Sequence, residues 1–390
     1  MPTSGIRVAG RFWKKLLLQY LVLTGVLAHA ALMGLFLLAP DLAHRATDRI
    51  GQVAGGGIAA ALPESAPNAD WETARASLRR WSPQTGASLG QGQIRLDGDA
   101  VGNLKDASER LRDGSVLEIG AGVYRTPLVV RADGVRIVGH GHVVFDGAVA
   151  QGKGTFVIKG RGTRIENIEC RNVQVRDGNG ACVRLAGRNL LLEQVYFHSS
   201  QEGLLTGSDP GNVVIRHSFF ERLGHGGRAH GVYQGGGTLT IERSYVLGSK
   251  GQGHEVKSRA QRTTISNSVI ASLTGQDSRL IDLPNGGIVS ITDSTLQQGP
   301  NSTNRDMVGF ALERRPHEDN ALEMKRNLII LERNGSNLLL SSNVQGMQAD
   351  ISDNIIVAPQ GTDYASDNLE YQSRGQAGLP PYPAVPDRPS

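Results

Sequence analysis

Eight segments of this 390-residue chain repeat one apolar rhythm. They begin at Thr163 (TRIENIECRNV), Asn189 (NLLLEQVYFHS), Asn212 (NVVIRHSFFER), Thr238 (TLTIERSYVLG), Arg262 (RTTISNSVIAS), Gly287 (GIVSITDSTLQ), Ala321 (ALEMKRNLIIL) and Met347 (MQADISDNIIV). Successive starts lie 23 to 26 residues apart, with one longer step of 34. Such a period marks a solenoid, in which no repeat can bury its apolar face alone and stacking makes the core. Within each segment the alternation has period two and draws on Val, Ile, Thr and Tyr, which specifies short strands and not helical turns.

A second strand register follows each segment after a polar turn: Ala181-Cys-Val-Arg-Leu, Glu202-Gly-Leu-Leu-Thr, His230-Gly-Val-Tyr-Gln, His254-Glu-Val-Lys-Ser, Arg279-Leu-Ile-Asp-Leu and Asp306-Met-Val-Gly-Phe. Its third position is always a branched aliphatic: Val183, Leu204, Val232, Val256, Ile281 and Val308. At strand period these form an inward ladder, and the residues beside them face out. Rungs of this length predict an all-β fold, a parallel β-helix. Neither an LxxLxLxxN pattern nor a WD-type blade signature is present. About ten coils at strand spacing would make a rod of roughly 50 Å over residues 90–359, entered through Val116–Ile119, Leu128–Val130 and Gly134–Gly139. The 50 glycines serve its tight corners.

The amino terminus bears on location. A basic segment, residues 1–15, carries Arg7, Arg11, Lys14 and Lys15 and precedes a 24-residue apolar stretch, 16–39, long enough as a helix to cross a hydrocarbon core. It predicts a transmembrane anchor with the basic end in the cytoplasm and the rod in the periplasm or outside the cell. A cleaved signal peptide is the competing reading, since Ala28-His29-Ala30 fits a cleavage site. Residues 40–89 read as a linker with one amphipathic helix over 70–81, a spacer or a cover for the first coil. Residues 360–390, with Pro380, Pro381, Pro383, Pro386 and Pro389, predict a disordered tail. Cys170 lies in the apolar register as a small buried hydrophobe, and neither CxxC nor Cys/His metal spacing occurs. A net charge of +4 with 5% aromatics and no basic stripe argues against nucleic acid as a partner.

Chemistry is expected on the outward faces, where equivalent residues of neighbouring coils sit roughly 5 Å apart. Tyr233, Lys257 and Asp282 fall in one outward column, preceded by Arg184 and Leu205. His230 and His254 stack at the turn opening the same strands, with Glu202 before them and Arg279 after. This set fits an acidic polysaccharide: cations neutralise a uronate carboxylate, and a nearby base removes the proton from the adjacent carbon. Lys257 or His254 is the candidate base, Arg259 and Arg279 the carboxylate clamp, and Tyr233 the acid toward the leaving oxygen. Arg259 beside Lys257 would lower the lysine's pKa by like charge. His230, Asp282, Arg279, Glu255, Glu202 and Asn285 are the candidate substrate-binding residues. Strict alternation would turn Glu202 and His254 inward, where each would need an internal partner such as the other.

The coil pattern, the run GQGHEVKSRA and the following IDLPNGG resemble the right-handed parallel β-helix superfamily of pectate-lyase-like proteins, in particular its bacterial membrane-anchored β-helix repeat members. The resemblance covers about two thirds of the chain. It implies a right-handed coil and, because a Lys or Arg is commonly the base in lyases of that superfamily, a comparable place for Lys257 and Arg259. The outward columns offer only Glu255 and Asp282 as scattered acids, so no Ca²⁺ site and no other cofactor is expected. No Asp-Asp run serves a hydrolase, nor paired Asp with Arg a methylesterase. The epimerase run Asp-Pro-His-Asp is only approached at Ser208-Asp-Pro-Gly and Arg315-Pro-His-Glu-Asp. The reading is β-elimination of an acidic polysaccharide, and its alternatives are a non-catalytic carbohydrate-binding or export-associated rod and uronate C5-epimerisation. An enzyme would need loop walls, for which the insertions 223–228 and 300–305 are the candidates.

Overall fold

The structure, a computed structural model, describes residues 71–85, 89–313 and 317–387. The basic segment and the apolar stretch 16–39 lie outside the described residues. Among the described residues no helix is long and apolar enough to cross a membrane.

Each repeated segment makes two strands and each second register a third, so the rod has three faces. The first carries strands such as Arg161–Glu166, Asn212–Arg216 and Ile288–Thr292. The second carries strands of three or four residues, such as Tyr196–His198, Phe219–Glu221 and Tyr245–Leu247. The third runs from Leu128–Val130 to Leu338–Ser342 as a sheet of nine parallel strands. The solenoid thus has about nine turns, one fewer than the ten coils expected.

The core follows from strand alternation. On the third face Phe156, Val183, Leu204, Val232, Val256, Ile281 and Val308 pair in register from coil to coil, and all are fully buried. Burying each such side chain stabilises by roughly 1.5–3 kcal/mol before entropy is counted. One position earlier lies Cys182, also fully buried. It is bonded to Cys170 of the second face, with the Cα atoms 5.9 Å apart. Cys170 is therefore one half of a disulfide within one coil, not an isolated small hydrophobe.

The bend between first and second faces shows how a polar sequence is made to turn. Ser218, Ser244, Ser268, Ser294, Asn327 and Asn354 stack inside it. Each side-chain oxygen accepts the N–H of the preceding coil's residue, at 3.1 Å for the serine steps and 3.0 and 2.9 Å for the asparagine steps. The residue before each one has positive φ without being glycine: His217 (48°), Arg243 (48°), Asn267 (49°), Asp293 (51°), Arg326 (54°) and Asp353 (58°). That conformation costs of order 1 kcal/mol per residue, offset here by a ladder that satisfies every buried amide along it.

Two terminal expectations need correction. Among the described residues the helix of the linker spans Trp71–Arg75, and it does not cover the first coil. Its segment lies against the second face, where Trp71, Ala74, Leu78 and Trp81 pack on Phe219, Tyr245, Leu247 and Val269. The first coil is covered by another helix, Leu104–Arg110, N-capped by Asn103, which sends Leu104 and Ala107 into the core. Residues 360–387 of the proline-rich end pack on the rod, where a disordered tail was expected. Leu369–Tyr371 adds a strand to Ile355–Val357, extending the pairing beyond residue 359. Beyond it Arg374 grips Glu332 with two hydrogen bonds of 2.7 Å, and Val385 is 1% exposed against the second face. Proline is excluded from ladders but not from packing, and this segment docks by side chains.

Candidate functional site

Strand pairing on the third face sets Arg184, Leu205, Tyr233, Lys257, Asp282 and Gly309 opposite one another in successive coils. Tyr233, Lys257 and Asp282 therefore stand side by side on the outer flank. At Gly309, which pairs onward with Ser341, a side chain would crowd Arg279, whose methylene and Nε lie 2.9 Å from where a Cβ would be.

The column one turn of backbone earlier, Glu202, His230, His254, Arg279 and Asp306, departs from strict alternation. His254 and Arg279 reach the outer column: His254 Nε2 is 3.4 Å from Asp282 Oδ2, and Arg279 Nη1 is 3.4 Å from Oδ1. The next residue turns inward instead. Leu280 and Met307 join the core at this position, and Glu255, expected to face a ligand, is fully buried. The strand straightens only at Val256, so two consecutive residues precede it out of phase, and reading period two through the corner puts Glu255 on the wrong side.

The outer groups form one continuous chain of contacts. Arg279 Nε pairs with Asp306 and its Nη1 with Asp282. Asp282 accepts from Lys257 Nζ at 3.0 Å, and Lys257 also reaches Glu313 Oε1 at 3.1 Å. Glu313 Oε2 takes Arg259 Nη2 at 2.5 Å, while Arg259 donates through Nε to Tyr233 Oη at 3.0 Å and through Nη1 to Asn285 Oδ1 at 2.8 Å. The groups in contact with the Lys257 ammonium are thus two carboxylates, and Glu313 stands between it and the like charge of Arg259. Arg279 is committed to Asp306 and Asp282, so it is not a free member of a clamp.

The histidines are neutral. Their rings stack with centroids 4.9 Å apart and planes 20° from parallel. Burial, followed by the charges of Lys257 and Arg279, pulls the pKa of His254 down to about 3, and burial also pushes that of His230 well below the usual range. His230 Nδ1 accepts the His254 N–H at 3.0 Å, and His254 Nδ1 accepts the Arg279 N–H at 3.2 Å. Nδ1 also lies 3.3 Å from the Arg279 carbonyl, so the backbone of that residue engages it in either tautomer, while Nε2 faces Asp282. His254 thus positions Asp282.

Two expected ligand-binding acids are withdrawn from any ligand. Glu202 is fully buried, and neither oxygen has a hydrogen-bond partner, His254 included. Burial drives its pKa well up, only partly offset by the nearby His230 backbone and the charge of Arg184. Glu255 accepts the Ser249 N–H at 2.9 Å and faces Asp277 in the interior. Asp277 accepts from Ser272 at 2.8 Å and Ser302 at 2.6 Å. Burial, then the charge of Asp277, raises Glu255 strongly, and burial lifts Asp277 to about 6. Insertion 300–305 therefore serves this buried pair, not a wall of the outer flank.

Glu313 and Asp306 complete the cluster without having been singled out from sequence. Burial raises Glu313, but the Arg259 hydrogen bond and the Lys257 charge outweigh it, leaving its pKa below the usual carboxylate range. The signal that marks Glu313 is the 34-residue step: the extra residues of that coil include it. Among the described residues no group of three or more His, Cys, Asp or Glu is arranged to hold a metal ion.

Three faces of stacked parallel strands around an aliphatic core define a right-handed parallel β-helix protein, consistent with the pectate-lyase-like superfamily. Residues 154–313, the coils that build this flank, match the family model described as a right handed beta helix region. No curated protein matches the chain.

Proposed function

We propose that this chain is an extracytoplasmic β-helix protein that binds an acidic polysaccharide along the outer flank of the third face. The observation that carries the reading is the in-register column Tyr233, Lys257 and Asp282 with Arg259 beside it. Successive coils there present a phenol, cations and a carboxylate at strand spacing, the donor and acceptor set that an anionic, polyhydroxylated chain requires. The Cys170–Cys182 disulfide favours an oxidising compartment. The basic segment and apolar stretch of residues 1–39 would tether the rod to the membrane from which it projects.

β-Elimination is the second reading, favoured by one contact. Tyr233 Oη accepts from Arg259 Nε, so its own O–H is left to donate to a leaving oxygen. Against it stands the engagement of both candidate bases: Lys257 is doubly ion-paired, and His254 is held by the Arg279 backbone and faces Asp282. Binding is therefore placed first.

The test is retention of the full chain on immobilised uronate polymers, with ultraviolet absorbance of the soluble polymers followed in parallel. Retention lost in Lys257→Ala supports binding at this flank. Growth of the conjugated unsaturated uronate chromophore, abolished in Tyr233→Phe, would promote the lyase reading. Retention on none of the polymers would sink both.

A further inference from the structure

The carboxylates of the flank are of two kinds. Asp282 and Asp306 belong to coil strands, and their side chains are 5% and 8% exposed. Glu313 lies outside the coil strands, in the residues that make the 34-residue step, and its side chain is 45% exposed. It is held near the coils by its N–H to the Pro284 carbonyl at 3.2 Å. Its carboxylate nevertheless bridges two cations of one strand end, giving one oxygen to Lys257 and the other to Arg259.

That is how a separate carboxylate ligand would be held. Lys257 and Arg259 are two residues apart and point the same way, so their donors make one notch sized for one carboxylate. Without Glu313 the cluster would hold three cations, Lys257, Arg259 and Arg279, against two carboxylates, Asp282 and Asp306. One negative charge is needed to balance it. Lys257 would retain Asp282, but Arg259 would retain only the neutral Tyr233 and Asn285.

We propose that Lys257 and Arg259 form a subsite for a single uronate carboxylate, and that Glu313 is its internal occupant, displaced when the polysaccharide binds. The inference rests on the acidic-polysaccharide reading above and replaces the expected Arg259–Arg279 clamp. A half-exposed ion pair is weak, so a ligand with further contacts along the flank can displace it. Until displaced, Glu313 lowers the apparent affinity by the fraction of molecules in which the notch is open.

Calorimetric titration of the full chain with an oligogalacturonate, and with its methyl ester as a ligand of the same shape without charge, tests this. Glu313→Gln and Glu313→Ala should each bind the acid about fivefold more tightly than the parent chain, the release of about 1 kcal/mol, while affinity for the ester stays as it was. Adding Lys257→Met to Glu313→Ala should abolish the gain. Unchanged or weaker binding of the acid in both Glu313 variants overturns the internal occupant while leaving the acidic-polysaccharide reading intact. An equal gain for acid and ester overturns the carboxylate subsite. Absence of binding to every form, with all forms melting as the parent does, overturns this inference together with the reading beneath it.

Discussion

The second and third faces are built from the same coils by the same alternation, yet their outer columns differ. On the second face successive coils place Tyr196, Phe219, Tyr245 and Val269 outward in register, with the rings of Phe219 and Tyr245 stacked at 4.4 Å. The chain covers this apolar column with its own ends: Trp81 stacks on Tyr196, and Val385 and Leu78 fill the space beside it. Its charges are locked inside, Arg75 donating to Glu221 at 2.7 Å with both side chains about 5% exposed. On the third face the outer column is charged, and the described chain lends it one loop, from which half-exposed Glu313 reaches Lys257 and Arg259 while His317 meets the Arg259 and Asn285 backbone. An apolar flank is consumed by the fold, whereas a charged flank balanced by a loosely held counter-ion remains available to an outside partner.

The largest effect expected from this contrast is on the covered flank. Glu221→Ala would leave the Arg75 guanidinium buried without its counter-ion and would take the acceptor from Tyr196 Oη, 3.1 Å away. Breaking a buried pair from one side costs about 3–5 kcal/mol, which a denaturant titration would resolve. A loss below about 1 kcal/mol, the level of an exposed pair, would mean that the terminal segment is held no more firmly than Glu313, and the contrast between the faces would fall.

The fold was legible because strand period and coil period are both written in the apolar residues. The six aliphatics from Val183 to Val308 fix the register of the third face, and that register alone placed Tyr233, Lys257 and Asp282 in one column. Three features were not legible, each for a physical reason. Glu255 sits at an irregular corner, where period two does not apply. The cover of the second face by residues 71–85 and 374–387 is a contact between segments far apart in the chain, which no local pattern encodes. Glu313 belongs to the one coil whose length breaks the repeat, so alignment with other coils could not assign it. The long step itself was visible, and an insertion beside a charged column was the cue.

A smaller effect separates the outer flank from the interior beneath it by pH. His230 and His254 have folded-state pKa values below their unfolded ones, with His254 at about 3. The unfolded chain then binds more protons, and their contribution is full above about pH 6.5 and lost as pH falls toward 3. Glu255 and Asp277 are shifted the other way, Asp277 to about 6. The folded chain binds more protons, so their contribution is full below about pH 4 and is lost as pH rises through 6. Melting temperature against pH should therefore bend down on both sides of a maximum. His254→Gln should flatten the acid limb alone and Glu255→Gln the alkaline limb alone. Both limbs responding to one substitution would show that flank and interior titrate as one unit.

The smallest effect expected is the stability change of Glu313→Gln. Its side chain is half-exposed and its partners keep other contacts: Lys257 holds Asp282 at 3.0 Å, and Arg259 holds Tyr233 and Asn285. The substitution should shift unfolding by ~0–1 kcal/mol, within reach of a chemical melt only as an upper bound. That near-silence is what distinguishes a counter-ion waiting to be exchanged from one the fold needs. Were Glu313→Gln to cost as much as Glu221→Ala, the third face would be sealed in the same sense as the second, and a ligand would have to break the fold to enter it.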